Sequence, residues 1–97
     1  SMINAVVIDE KDTVAVAIEA LKKGSVAEIR SHSGAVTKVA LVNDIPIYHK
    51  FAITEMKKGD PVVKYGEHIG IAGCDIHVGE HVHVHNVENH RENLDNA

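Results

Sequence analysis

No tryptophan occurs in the 97 residues, phenylalanine occurs once and tyrosine twice, so the core cannot be built around large aromatic rings. It has to be packed from Val, Ile and Ala, side chains that suit strands. The single cysteine, Cys74, excludes an intrachain disulfide and fits a reducing compartment, which places the protein in the cytoplasm. No apolar run approaches the ~20 residues of a membrane span. A signal peptide with a basic start and an apolar middle is also missing. The net charge is −4 with histidine neutral, and no face of clustered Lys and Arg is visible, so nucleic acid is a poor partner. There is no glycine-rich loop leading into a helix to cradle phosphate, no cysteine pair of a zinc knuckle and no serine nucleophile elbow. Phosphoryl transfer, acyl transfer and dinucleotide binding therefore have no support.

What is present fits one small domain. Ile3–Ile8 reads as a strand. From Thr13 to Lys23 the residues Val14, Ala17, Ile18 and Leu21 fall at helical spacing. Asp12 stands at the N-cap position, Lys22 and Lys23 near the C-terminus, and Gly24 where a left-handed cap belongs. Beyond it come short β-like runs at Val26–Ile29, Lys38–Val42, Lys50–Thr54, Pro61–Lys64, His68–Ala72 and Glu80–His85, separated by turn signals such as Ser33-Gly34, Asn43-Asp44 and Tyr65-Gly66. Three stretches share one layout, a strand end, a brief hook, Gly and a new strand, at Ile53 to Gly59, Cys74 to Gly79 and, more faintly, Ala20 to Gly24. The expected fold is mainly β with one N-terminal helix, a domain over residues 1–86 and a polar tail or linker start over 87–97.

Eight histidines are many for this length. In His81-Val82-His83-Val84-His85 the period-2 alternation of a strand sets the three imidazoles on one face and both valines toward the core. Imidazoles at i and i+2 are close enough to chelate one transition metal. All three are not, because four residues advance a straight strand by roughly 13 Å. A metal would take His81 with His83, or His83 with His85, and find further ligands among His49, His68 and His77. The same alternation also serves as the solvated face of an edge strand, protected against aggregation, or as a contact to a partner subunit. At His49-Lys50 an imidazole able to move a proton near neutral pH stands beside a fixed cation able to bind a carboxylate. A surface His and Lys at a strand start would look the same.

Taken together, His49-Lys50 with Phe51 and Ala52, Lys58-Gly59, the run Val63 to Glu67, Ile69-Gly70 and Ala72, Asp75-Ile76, and Gly79 through His85 to Asn86 resemble the SAF-type domain of the altronate and galactarate dehydratase family, including the small subunits of sulfolactate sulfo-lyase-like enzymes. The resemblance covers nearly the whole chain. It implies a β-clip fold and a role in metal-assisted β-elimination, in which water or sulfite leaves a sugar acid or related hydroxy acid. A divalent Fe or Mn ion would be the cofactor, and a large catalytic subunit the partner. By this resemblance the matching positions are His49, Lys50, Lys64, Tyr65, Gly66, His83, His85 and Asn86. His49 is the catalytic candidate, Lys50 and Lys64 bind substrate, and His83 and His85 hold metal. The chain is then an accessory subunit, inactive alone, with self-association left open. Tyr48 departs from the family pattern, which has a small residue, typically Gly, before the His-Lys pair. The alternative reading is a stand-alone small-ligand or metal-binding module built on the His81–His85 strand.

Overall fold

Val14-Ala15-Val16-Ala17 offers no polar side chain to turn toward water. In the computed structural model, which describes residues 2–89, these four residues form a strand that is buried on both faces. The strands of the described residues are β1 Ala5–Val6, β2 Val14–Ala17, β3 Val26–Arg30, β4 Val36–Ala40, β5 Lys50–Ala52, β6 Pro61–Lys64, β7 Glu67–Ala72, β8 His81–Val82 and β9 Val87–Glu88. One sheet runs β4-β3-β1-β2-β5-β8 and the other β6-β7-β9.

The helix expected over Thr13–Lys23 is absent, and no helix occurs among the described residues. The 3.6-residue spacing of Val14, Ala17, Ile18 and Leu21 coexists with an unbroken apolar run. Such a run is the mark of a strand covered on both sides, and pairing with β1 and β5 decides between the two readings. Asp12 does cap backbone, but in a loop: its carboxylate accepts the N–H groups of Ile8, Asp9 and Gly66. Burial raises its pKa, and these backbone donors outweigh that and lower it overall. The mainly β architecture is consistent with a β-clip.

β2 and β5 form the wall between two cores. On one side Ala15, Ala17 and Phe51 pack with Ala5, Ile29, Val39 and Leu41. On the other, Val14 and Ala52 pack with Val62, Ala72 and Val82.

Each core is closed by a pair of hooks. Leu21 and Ile45 exchange two backbone hydrogen bonds, and Met56 and Ile76 do the same. All four side chains are buried. Three residues after each of these stands a left-handed residue: Gly24 (φ 87°), Tyr48 (φ 67°), Gly59 (φ 93°) and Gly79 (φ 91°). Each donates its N–H to a carbonyl four residues before the partner hook, at Leu41, Ala17, Ala72 and Ala52 respectively. A carboxylate from the partner hook fastens three of the four, with Asp44 accepting from Lys23 N–H, Asp75 from Lys58 and Glu55 from Val78. The corresponding position for the second hook is Ala20, which has no acceptor to offer.

The Glu80–His85 strand is shorter than its sequence suggests. Only His81–Val82 pair with β5, and the chain then turns. Asn86, buried, closes this turn: its Oδ1 accepts from His83 N–H at 2.9 Å and its Nδ2 donates to the His81 carbonyl at 2.8 Å. Val82 is fully buried as alternation requires, whereas Val84, expected in the core, is 83% exposed at the tip. Val87–Glu88, assigned from sequence to the polar tail, pair with β7 as β9; residues 90–97 of that tail lie outside the described residues.

The hooks give a graded stability test. A Cβ at Gly24 meets open space, so Gly24→Ala should cost only the left-handed backbone, about 1–2 kcal/mol. At Gly79 a Cβ runs into the Ala40 carbonyl oxygen, and Gly79→Ala should cost clearly more. Tyr48→Gly should move the other way, stabilising by roughly 0.5–1 kcal/mol once the entropy of glycine is subtracted. Urea midpoints of the three variants measure the order; equal losses at Gly24 and Gly79 would contradict it.

Candidate functional site

β5 and β8 are antiparallel, with Lys50 opposite Val82 and Phe51 opposite His81. Continuing that register by one residue sets His49 across from His83. Their rings stack with centroids 4.3 Å apart. His81 completes the group, with centroids 5.1 Å from His49 and 5.5 Å from His83. One nitrogen from each of His49, His81 and His83 lies within 4.8 Å of the others. His49 Nδ1 and His81 Nε2 are 2.9 Å apart and share a hydrogen bond, so one of the two carries the proton. All three residues are half-buried. His85 lies tilted against His81, with ring centroids 5.3 Å apart, and is exposed.

Burial, and then the neighbouring imidazoles, push the His81 pKa down to about 4. His83 is lowered by burial and next by His49 and Lys50. These rings are therefore neutral near pH 7, the form that binds a transition metal. Lys50 shares a sheet face with Val16 and Val82, opposite to the side that carries His81. It lines a cavity of about 310 Å³ with Ile69, His83, Val84, Val87 and Glu88. Its pKa is lowered by burial and next by the charge of Lys64. Two ammonium groups that repel one another gain from a bound anion between them. Lys64 lies at the end of β6, its Nζ 5.1 Å from the Tyr65 ring centroid. There Tyr65 (φ 56°) and Gly66 (φ 77°) make the two-residue hairpin turn into β7.

The structure thus brings His49, Lys50 and His83 to one sheet edge, with Lys64 electrostatically coupled to Lys50. His81 joins His83 and His49 in a group whose nitrogens could hold an ion, and His85 lies against His81. The signal for this was the β5–β8 register, which fixes His49 opposite His83. Of the other histidines weighed as ligands, His77 is engaged elsewhere: its Nδ1 is 2.7 Å from Glu55 Oε1. That bond raises the His77 pKa, while Val78 N–H and then His77 lower that of Glu55. His68 is exposed on β7.

The profile of the altronate/galactarate dehydratase SAF domain matches residues 3–90. The chain is 40% identical over 84 residues to altronate dehydratase of Escherichia coli (strain K12), covering 87% of this chain and 16% of that protein. It is 40% identical over 81 residues to altronate dehydratase of Bacillus subtilis (strain 168), covering 84% and 15%. With the (2R)-sulfolactate sulfo-lyase subunit alpha of Paracoccus pantotrophus it shares 52% identity over 48 residues, half of this chain and 72% of that subunit. The chain is thus homologous to parts of both kinds of lyase and spans about one sixth of the altronate dehydratases. Among the described residues no helix is long and apolar enough to cross a membrane.

The depressed His81 pKa sets a pH window. An unfolded chain takes up this proton near 6.5, the folded one only near 4, so stability falls as pH drops from about 6.5 to about 4 and levels off below. In NMR titration of the metal-free protein the His81 ring should titrate near 4 and His77 above 6.5. His81→Gln should flatten the dependence of the urea midpoint in that window. An ordinary imidazole midpoint at His81 would contradict the geometry.

Proposed function

Since the chain belongs to the altronate/galactarate dehydratase SAF-domain family, we propose that it is the accessory part of a metal-dependent lyase acting on sugar acids or related hydroxy acids. In this role it docks on a larger catalytic body and completes its active site. The observation that carries this reading is the convergence at one sheet edge of three imidazoles and a lysine-lined cavity. The cytoplasmic location expected from sequence belongs to the same proposal.

The donor set suits a divalent transition ion, because imidazole ligates iron, manganese and zinc only when neutral and two of these rings are held neutral. His49, His81 and His83 would hold the ion. Bound there, it would act as a Lewis acid on the oxygens of a hydroxy acid and stabilise the charge left by loss of the α-proton. Lys50, backed by Lys64, binds the carboxylate of the substrate, and the 310 Å³ cavity beside it accommodates a small polyhydroxy acid. His49 faces His81 through Nδ1, which favours its use as a ligand over the proton-shuttling role read from sequence. The group that removes the α-proton then comes from the larger body. Asn86 is a positioning residue: by closing the turn after β8 it holds His83 over His49. Both water and sulfite remain available as leaving groups.

Two measurements test the reading. In calorimetric titration with Mn(II), Fe(II) and Zn(II), affinity should fall as pH is lowered through about 4, where the His81 ring takes up its proton. His49→Ala or His81→Ala should weaken binding by at least ~10-fold and His85→Ala much less. In reconstitution with the larger lyase chain of the same organism, dehydration of altronate or galactarate, or desulfonation of sulfolactate, should depend on adding this domain. His83→Ala should reduce the rate and Lys50→Ala should raise KM. Unchanged rates on adding the domain sink the accessory role. Metal binding without any effect on the larger chain would support a stand-alone metal-binding module instead.

A further inference from the structure

Three of the four hooks place glycine at the left-handed position, at φ 87–93°, and the second places Tyr48 there at φ 67°. A tyrosine adopts this backbone only with strain, and strain that persists in a native fold is held for a reason. The reason is not internal packing. Tyr48 is 71% exposed, and among the described residues no hydrogen bond or ring contact engages its side chain. Nor is it the needs of the hook, whose bond from residue 48 N–H to the Ala17 carbonyl a glycine would make equally well. The gain from this ring must lie outside the domain.

Its surroundings indicate what kind of surface it meets. Ile47, next in sequence, is 46% exposed, and Ile18, which follows the Ala17 carbonyl that Tyr48 bonds, is 43% exposed. A tyrosine flanked by two half-exposed isoleucines is an apolar strip with one polar tip, the composition of an interface anchor. A hydroxy acid would be recognised instead at the cavity that Lys50 lines, and Tyr48 does not line it. The strip immediately precedes His49, so a protein seated on it borders the imidazole cluster. In the altronate dehydratases the matched stretch is 16% and 15% of the chain, so about five-sixths of each is further protein.

We propose that Tyr48, with Ile47 and Ile18 beside it, is the anchor by which this domain docks on the catalytic body of its lyase. The inference rests on the accessory role proposed above and adds the surface through which it is exercised.

The test uses the full chain together with the larger lyase chain of the same organism. A photo-crosslinking benzoylphenylalanine is placed at position 48 in one sample and at position 84, 83% exposed at the turn that carries the histidines, in another. Position 48 is expected to give an adduct with the larger chain. Tyr48→Gly is expected to raise the melting temperature of the isolated domain and yet weaken its association with the larger chain by roughly tenfold or more, whereas Tyr48→Phe keeps association near the parent value. Tyr48→Asn, whose side chain tolerates the left-handed backbone, should behave as Tyr48→Gly does. Adducts from position 84 alone, adducts from position 48 only to a second copy of this chain, or unchanged association in Tyr48→Gly would each overturn the anchor while leaving the accessory role standing. Adducts with the larger chain from neither position would overturn both.

Discussion

In each hook a single N–H, at Gly24, Tyr48, Gly59 or Gly79, reaches a carbonyl of the segment that leads into the partner hook. In all four the donor residue takes a left-handed backbone. With few aromatic side chains to fill a core, the domain relies on these bonds to hold small apolar layers together. Leu21 against Ile45 closes one layer and Met56 against Ile76 the other. Because every hook is bonded to the segment before its partner, loosening one loosens two. This reciprocity explains why so short a chain can sustain two separate cores around the β2–β5 wall. It also explains where carboxylates are spent: Asp44, Asp75 and Glu55 satisfy hook N–H groups and are therefore withdrawn from chemistry, although sequence alone would leave each available.

The electrostatics of the site follow from the same frame. Packed between β5 and the turn closed by Asn86, His81 is too poorly solvated to carry charge near neutral pH, and each neighbouring imidazole or lysine adds to the penalty. A cation bound by neutral rings beside Lys50 and Lys64 would itself be repelled by those ammonium groups. An anionic substrate that lies between the ion and the lysines removes the conflict, so metal and carboxylate should bind with positive coupling. The exposed His77–Glu55 pair obeys the opposite rule. There the carboxylate favours the protonated ring, so His77 is charged at a pH at which His81 is neutral.

Much of this was readable from the residues, and the misses have physical causes. Pro61–Lys64 was placed as a strand with its observed bounds, and the other β-like runs after Gly24 overlap strands, with ends too short, too long or displaced by up to three residues. Val14–Ala17 was misread because helical periodicity and a doubly buried strand look alike over so few residues, and only pairing with β1 and β5 separates them. Three hooks were visible because each carries glycine. The second hook, from Ile45, escaped notice because Tyr48 stands where the others have glycine and Ala20 withholds the carboxylate that fastens the other three. Val84 was assigned inward by strand alternation, yet Asn86 ends the strand two residues earlier. The stacking of His49 on His83 depends on a register between segments more than thirty residues apart, which no local pattern encodes.

The location of the site is a consequence of which hooks have neighbouring exits. The strand leaving the first hook, β3, lies in the six-stranded sheet beyond β1, and the one leaving the third, β6, lies in the other sheet. Only the strands leaving the second and fourth hooks, β5 and β8, pair directly. Side chains at the starts of those two strands are brought together by the same bonds that close the cores, so they can be polar without disturbing either. His49 and His81 occupy these starts, and the turn after β8 adds His83 above them. Tyr48 sits one residue before this junction. A partner that recognises it would press on a hook whose bond reaches Ala17 in β2, and through that strand on β5 and the histidines. Docking and metal binding would then share one rigid element, so an assembled lyase should hold the ion more tightly than the isolated domain does.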